Sequence, residues 1–140
     1  MKTVDVLLVE DNAGDALLTG QTLSQSSFPV KLHIARDGEQ AMMMLADPDF
    51  HPALIILDLN IPRVPGALLL ERMPKKDVPV VVFSSSWNET EIENALVRGA
   101  REFVQKPTDL EAFTQAVCAM VEKWAFPSGE PKANGAAADG

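Results

Sequence analysis

Short apolar runs alternate with longer mixed stretches along this chain, and each run ends at a polar residue. The runs Val4–Val9, Val30–Ala35, Leu54–Leu57, Val80–Phe83 and Glu102–Gln105 predict five strands, each followed by a helical stretch. That alternation is the pattern of an α/β domain, a parallel sheet with helices on both faces. Runs this short and β-branched suit strands buried on both sides. Only the second alternates with period two, through Val30, Leu32 and Ile34, which places it at a sheet edge. Helix starts are marked by a polar cap with Glu or Gln three residues on: Asp37 with Gln40, Ser86 with Glu89, and Thr108 with Glu111. After the last of these, Leu110, Phe113, Val117, Met120, Val121 and Trp124 recur at helical spacing and predict one apolar stripe that seals the sheet. The third helix should be short, because Pro74 cannot continue the stretch that opens at Gly66.

Composition sharpens this picture at three points. A chain of 140 residues with 46% hydrophobic content has material for one compact core, and residues 1–126 are expected to form it. Residues 127–140 are too poor in large apolar side chains to offset their ordering entropy and are expected to be a disordered tail. The formal net charge of −8 gives no basic stripe for gripping a phosphate backbone, so direct nucleic-acid binding is not expected. Cys118 is the only cysteine, which rules out an internal disulfide and suggests a small buried helix residue. No signal peptide or membrane-spanning run stands out, and a cytoplasmic location is expected.

The chemistry-bearing residues fall where the strands end. Glu10 and Asp11 follow the first strand, Asp58 the third, Ser84 the fourth and Lys106 the fifth. The carboxyl edge of an open α/β sheet is where such folds place their sites. Carboxylates gathered there repel one another unless a cation or proton intervenes. Oxygen donors without histidine or thiolate company suit Mg2+ rather than zinc, with Asp11, Asp58 and Glu10 as ligands. Asp58 is then placed to act as both ligand and nucleophile toward a phosphoryl donor, with Mg2+ and the Lys106 ammonium neutralising charge on the transferring group. Ser84 can meet the remaining phosphoryl oxygens, although Ser85 and Ser86 leave open which hydroxyl acts.

These residues, in this order, resemble the receiver domains of two-component response regulators. The resemblance runs from Val4 to about Trp124. It is carried by Val9-Glu10-Asp11-Asn12, Asp37-Gly38, Leu57-Asp58-Leu59-Asn60-Ile61-Pro62, Gly99-Ala100 and Lys106-Pro107. It implies a three-layer α/β/α fold, flavodoxin-like, with five parallel strands in order 2-1-3-4-5. It further implies a phosphoacceptor at Asp58, an acidic metal pair at Glu10 and Asp11, and a metal-binding backbone carbonyl at Asn60. Ser84 is similar to the switch hydroxyl, and Phe103 occupies the place of the switch aromatic. The phosphoryl group would come from a sensor histidine kinase. Asn12, His33, Leu59 to Arg63 and Lys123-Trp124 resemble the stand-alone regulators of phytochrome-type light-sensing kinases. With no output domain attached, the signal is expected to leave by association. A homodimer through the fourth helix, fifth strand and fifth helix is the favoured form.

Plainer readings stand beside these. A lone Asp at a strand end is usually a turn residue or helix cap, and only the joint set carries the functional weight. Asn60 could serve a turn hydrogen bond, and Phe103 could be an ordinary core aromatic. Pro65 in the loop after Asp58 departs from the family pattern and should stiffen that loop. A Mg2+-dependent phosphatase of the haloacid dehalogenase type also uses an Asp nucleophile after an apolar strand. That class needs a second Asp two residues on, where this chain has Asn60. A degenerate receiver acting only as a binding module is the third reading.

Overall fold

The structure is a computed structural model that describes residues 2–61, 63, 65–74, 77–85 and 88–127. Strands β1 (Val4–Val9), β2 (Val30–Ala35), β3 (Leu54–Leu57), β4 (Val80–Ser84) and β5 (Glu102–Gln105) alternate with helices α1 (Ala13–Ser24), α2 (Gly38–Ala46), α3 (Gly66–Arg72), α4 (Glu89–Val97) and α5 (Leu110–Met120). All neighbouring strands pair in parallel, in the order β2-β1-β3-β4-β5. The fold is the flavodoxin-like α/β/α sandwich.

Successive residues of a central strand point to opposite faces, and here both faces are covered. In β1, Leu7 and Val9 enter a cluster with Ala41 and Leu45 of α2, Leu69 of α3 and Ala95 of α4. Val6 and Leu8 enter the opposite cluster with Ala16 and Leu23 of α1 and Phe113 and Val117 of α5. That two-sided burial is why Val6–Val9 of β1 and the whole of β3 read as unbroken apolar runs. β2 lies at the edge as its alternation predicts, but the alternation is imperfect. Ile34 is 38% exposed, while His33 is held inward by Asp5 at 2.8 Å and by the edge of the Phe50 ring.

Two predicted caps move. Asp109, not Thr108, caps α5 and accepts from Ala112 N at 2.8 Å. Asn88 caps α4 and accepts from Thr90 N at 2.9 Å and Glu91 N at 3.2 Å, whereas Ser86 lies outside the described residues. In both places a short Asx side chain, one or two residues after the predicted hydroxyl, reaches the first-turn amides. Asp37 caps α2 as expected, accepting from Gln40 N at 2.7 Å. The α5 stripe is buried at Phe113, Val117, Met120 and Val121. Leu110, the first residue of the helix, is 63% exposed. The stripe continues through a π-helical turn at Val121–Ala125, where Trp124 donates its indole N–H to Glu102 at 2.8 Å. Cys118 is half-buried rather than buried. The expected tail lies, from residue 128, outside the described residues. Among the described residues, no helix is long and apolar enough to cross a membrane.

Candidate functional site

Strand register assembles the site. Val9 pairs with Leu57, so Glu10 and Asp58 leave the sheet side by side, and Asp58 N donates to Val9 O at 3.0 Å. Ser84 pairs with Gln105, so Lys106 follows directly, and Lys106 N donates to Ser84 O at 2.8 Å. Residues separated by up to 96 positions thereby meet at one edge. Glu10, Asp58, Ser84 and Lys106 are all buried.

The Lys106 ammonium is the centre of this arrangement. Its Nζ donates to Glu10 Oε1 at 2.6 Å, Asp58 Oδ2 at 2.8 Å and Asp15 Oδ2 at 2.9 Å. A lysine has three N–H donors, so all three are engaged. The second oxygen of each buried carboxylate is held by a loop amide. Glu10 Oε2 accepts from Asn12 N at 3.2 Å, and Asp58 Oδ1 accepts from Asn60 N at 2.9 Å. The two carboxylates are thus oriented at both oxygens.

Burial and pairing pull these groups in different directions. Burial pushes the Glu10 carboxyl up to about 7, against the Lys106 hydrogen bond and with help from the neighbouring Asp58 charge. Burial also works to raise Asp58, but the Lys106 hydrogen bond and the Asn60 amide hold it below the usual carboxylate range. For Lys106, burial alone would lower the value. The hydrogen bonds to Asp58, Glu10 and Asp15 outweigh it and hold the ammonium well above its usual range. The result is an ionised Asp58 and a charged Lys106 beside a Glu10 whose carboxyl burial holds well above the usual carboxylate range.

The other sequence-predicted residues are placed as follows. Asp11 is exposed at the rim, and the Arg36 guanidinium donates to its carbonyl at 3.3 Å. Asn60 is exposed, with its side-chain amide 3.5 Å from Ser84 Oγ. Phe103 sits one residue into β5, half-buried against the cluster that contains Ala95 and Ala100. Asp15 was missed by sequence reasoning. Its spacing from Asn12 is that of a helix cap and its first-turn acid, which hides any reach across the sheet edge.

Among the described residues, no three Asp, Glu, His or Cys side chains form a ready metal cluster. The ammonium stands between Glu10 and Asp58, where an expected cation would draw them together. The donor set still fits a hard divalent ion in kind. It is all oxygen, and the two buried carboxylates, Glu10 and Asp58, leave the sheet side by side at its edge.

The family model for the response regulator receiver domain matches residues 6–118. Response regulator Rcp1 of Synechocystis is 36% identical over 62% of this chain and 65% of its own length. The crystal structure of the phosphorylated cyanobacterial phytochrome response regulator RcpA superposes with a TM-score of 0.83 at 32% identity, covering 90% of this chain and 96% of that one. The Mn2+-bound form of Rcp1 does so with a TM-score of 0.80 at 30% identity, covering 88% and 95%. Longer relatives that are protein-glutamate methylesterases are matched over only about three tenths of their length.

Proposed function

This chain belongs to the response regulator receiver family, and on that premise we propose that Asp58 accepts a phosphoryl group from the phosphohistidine of a sensor histidine kinase. One Asp58 oxygen forms a bond to phosphorus as the phosphorus–nitrogen bond breaks and the imidazole leaves, giving an aspartyl phosphate. The observation that carries this reading is a buried Asp58 kept ionised by Lys106 and the Asn60 amide. An ionised carboxylate is the nucleophile such a step requires. Lys106 supplies positive charge to the oxygens of the transferring group. Ser84 Oγ, at the end of β4 and facing Asn60, is the hydroxyl for the bound phosphoryl group.

Glu10, Asp11, Asp58 and the Asn60 carbonyl are the ligands we assign to Mg2+, which when bound would neutralise phosphoryl charge. The Mn2+-bound form of Rcp1 supports a divalent ion at this kind of site. Phe103 completes the switch. It has no hydroxyl to desolvate, so turning further inward as Ser84 engages phosphate costs little. The changed surface is that of α4, β5 and α5, through which the 1–126 domain forms a homodimer. Similarity to the cyanobacterial phytochrome response regulator RcpA supports a phytochrome-type kinase as the donor, and we assign the chain to the cytoplasm, where such a kinase would present its phosphohistidine.

A haloacid dehalogenase-type phosphatase is disfavoured by Asn60, which has no carboxylate to act as acid or base. A purely binding, degenerate receiver is disfavoured by the intact set of Glu10, Asp58, Ser84 and Lys106. Borohydride trapping after acetyl phosphate treatment tests the assignment. Reduction of an aspartyl phosphate should map to position 58 by peptide mass, and trapping at any other carboxylate would overturn it.

A further inference from the structure

Asn12 and Asp15 have the spacing of a capping box, in which the first-turn acid reaches back to the cap amide. Here that amide is already bonded to Glu10 Oε2 at 3.2 Å, while Asn12 Oδ1 accepts from Asp15 N at 2.9 Å. The Asp15 carboxylate is thereby turned away from its own helix and meets Lys106 Nζ at 2.9 Å, across 91 positions of sequence.

We propose that Asp15 is the positioning residue for Lys106, holding the ammonium at the mouth of the site while Glu10 and Asp58 exchange it for other partners. The consequence for phosphoryl uptake rests on the receiver reading above, but the hold itself does not. A lysine ammonium is a strongly hydrated point charge on a flexible four-carbon stem, and fixing it takes acceptors on more than one side. In the proposed transfer Asp58 gains a phosphoryl group and Glu10 a metal ion, so both of their oxygens on Lys106 are called elsewhere. Asp15 has no part in that exchange. It is also the outermost of the three, with a side chain 32% exposed against 2% for Glu10 and 8% for Asp58. It therefore lies between Nζ and water.

The full chain carrying Asp15→Ala or Asp15→Asn tests this with two readouts. Alanine removes the acceptor, whereas asparagine keeps an oxygen in its place. The first readout is acylation of Lys106 by an amine-reactive ester, measured by mass against the exposed Lys31 and Lys123 in the same sample. It should rise about tenfold in Asp15→Ala, the worth of one charged hydrogen bond, and stay near wild type in Asp15→Asn. The second is the rate of labelling by acetyl phosphate with Mg2+, which should fall about tenfold in Asp15→Ala and largely recover in Asp15→Asn. A purely structural role at the start of α1 would not single out Lys106 among the lysines. Unchanged Lys106 acylation overturns the proposal. Raised acylation with unchanged labelling also overturns it, because Asp15 would then shield the ammonium without positioning it. A wild-type chain that takes no label rejects the receiver reading instead, and Lys106 acylation left unchanged by Asp15→Ala would then still overturn the hold.

Discussion

Lys106 holds together a site that would otherwise consist of repelling carboxylates, and its loss has a calculable direction. In Lys106→Met, Glu10 and Asp58 face one another with no counter-charge. The variant should lose about 3 kcal/mol of stability at pH 7, as expected when a buried ion pair loses one partner. Chemical denaturation at pH 7 and pH 5 checks this, and the deficit should shrink at pH 5 as Glu10 takes a proton. In the native protein, Glu10 titrates near 7 when folded and near 4.5 when unfolded. Between those values the folded chain binds more protons, so metal-free stability should fall as pH rises through that window. Asp58 acts oppositely. Its contribution is present above the unfolded value of 3.8 and is lost as pH falls through its lower folded value. Melting curves without metal should therefore show a maximum on the acid side of neutrality, and added Mg2+ should flatten the decline toward pH 7. The residues legible in sequence were those that end apolar runs, because a strand buried on both faces must release its first polar residue at the edge. Asp15 was illegible because its partner depends on which hydrogen bond the Asn12 amide makes.

At the scale of elements, the loop between β3 and α3 is fixed by close packing. A Cβ on Gly66 would lie 2.6 Å from Leu59 Cα and 3.1 Å from Leu59 O, so the backbone that carries Asp58 and Asn60 would have to move. Gly66→Ala should cost about 2 kcal/mol by overpacking and slow phosphoryl labelling as well. Parallel denaturation and labelling measurements check both effects. Asp109→Ala, which removes the cap of α5, should cost about 1 kcal/mol and leave labelling unchanged. Strand positions and the shortness of α3 were legible from apolar run length and Pro74. The caps of α4 and α5 were misplaced by two residues and one because a Ser or Thr stands within two positions of an Asn or Asp, and local sequence does not say which side chain meets the amides. Ile34 is partly exposed on β2, whose place at the sheet edge its alternation predicted.

At the scale of the whole molecule, the strand order was legible only through resemblance, since periodicity alone does not choose among parallel topologies. Among the described residues, exposed large apolar side chains occur on the elements of the proposed signalling face as well as at Leu17, Ile34 and Met43 elsewhere. Leu96 and Val97 of α4 are 44% and 86% exposed, and Leu110 at the start of α5 is 63% exposed. Beryllofluoride with Mg2+ should shift the chain toward a dimer in sedimentation, and Val97→Glu should keep it monomeric while leaving labelling intact. A monomer at millimolar concentration with the mimic bound would remove the homodimer. Whether Asp58 is a metal-assisted phosphoacceptor is read by intact mass after incubation with acetyl phosphate and Mg2+. One added phosphoryl group should appear, absent from Asp58→Asn and from a sample with EDTA. An adduct of equal extent in Asp58→Asn, or none in the wild type even with beryllofluoride failing to bind, would contradict it.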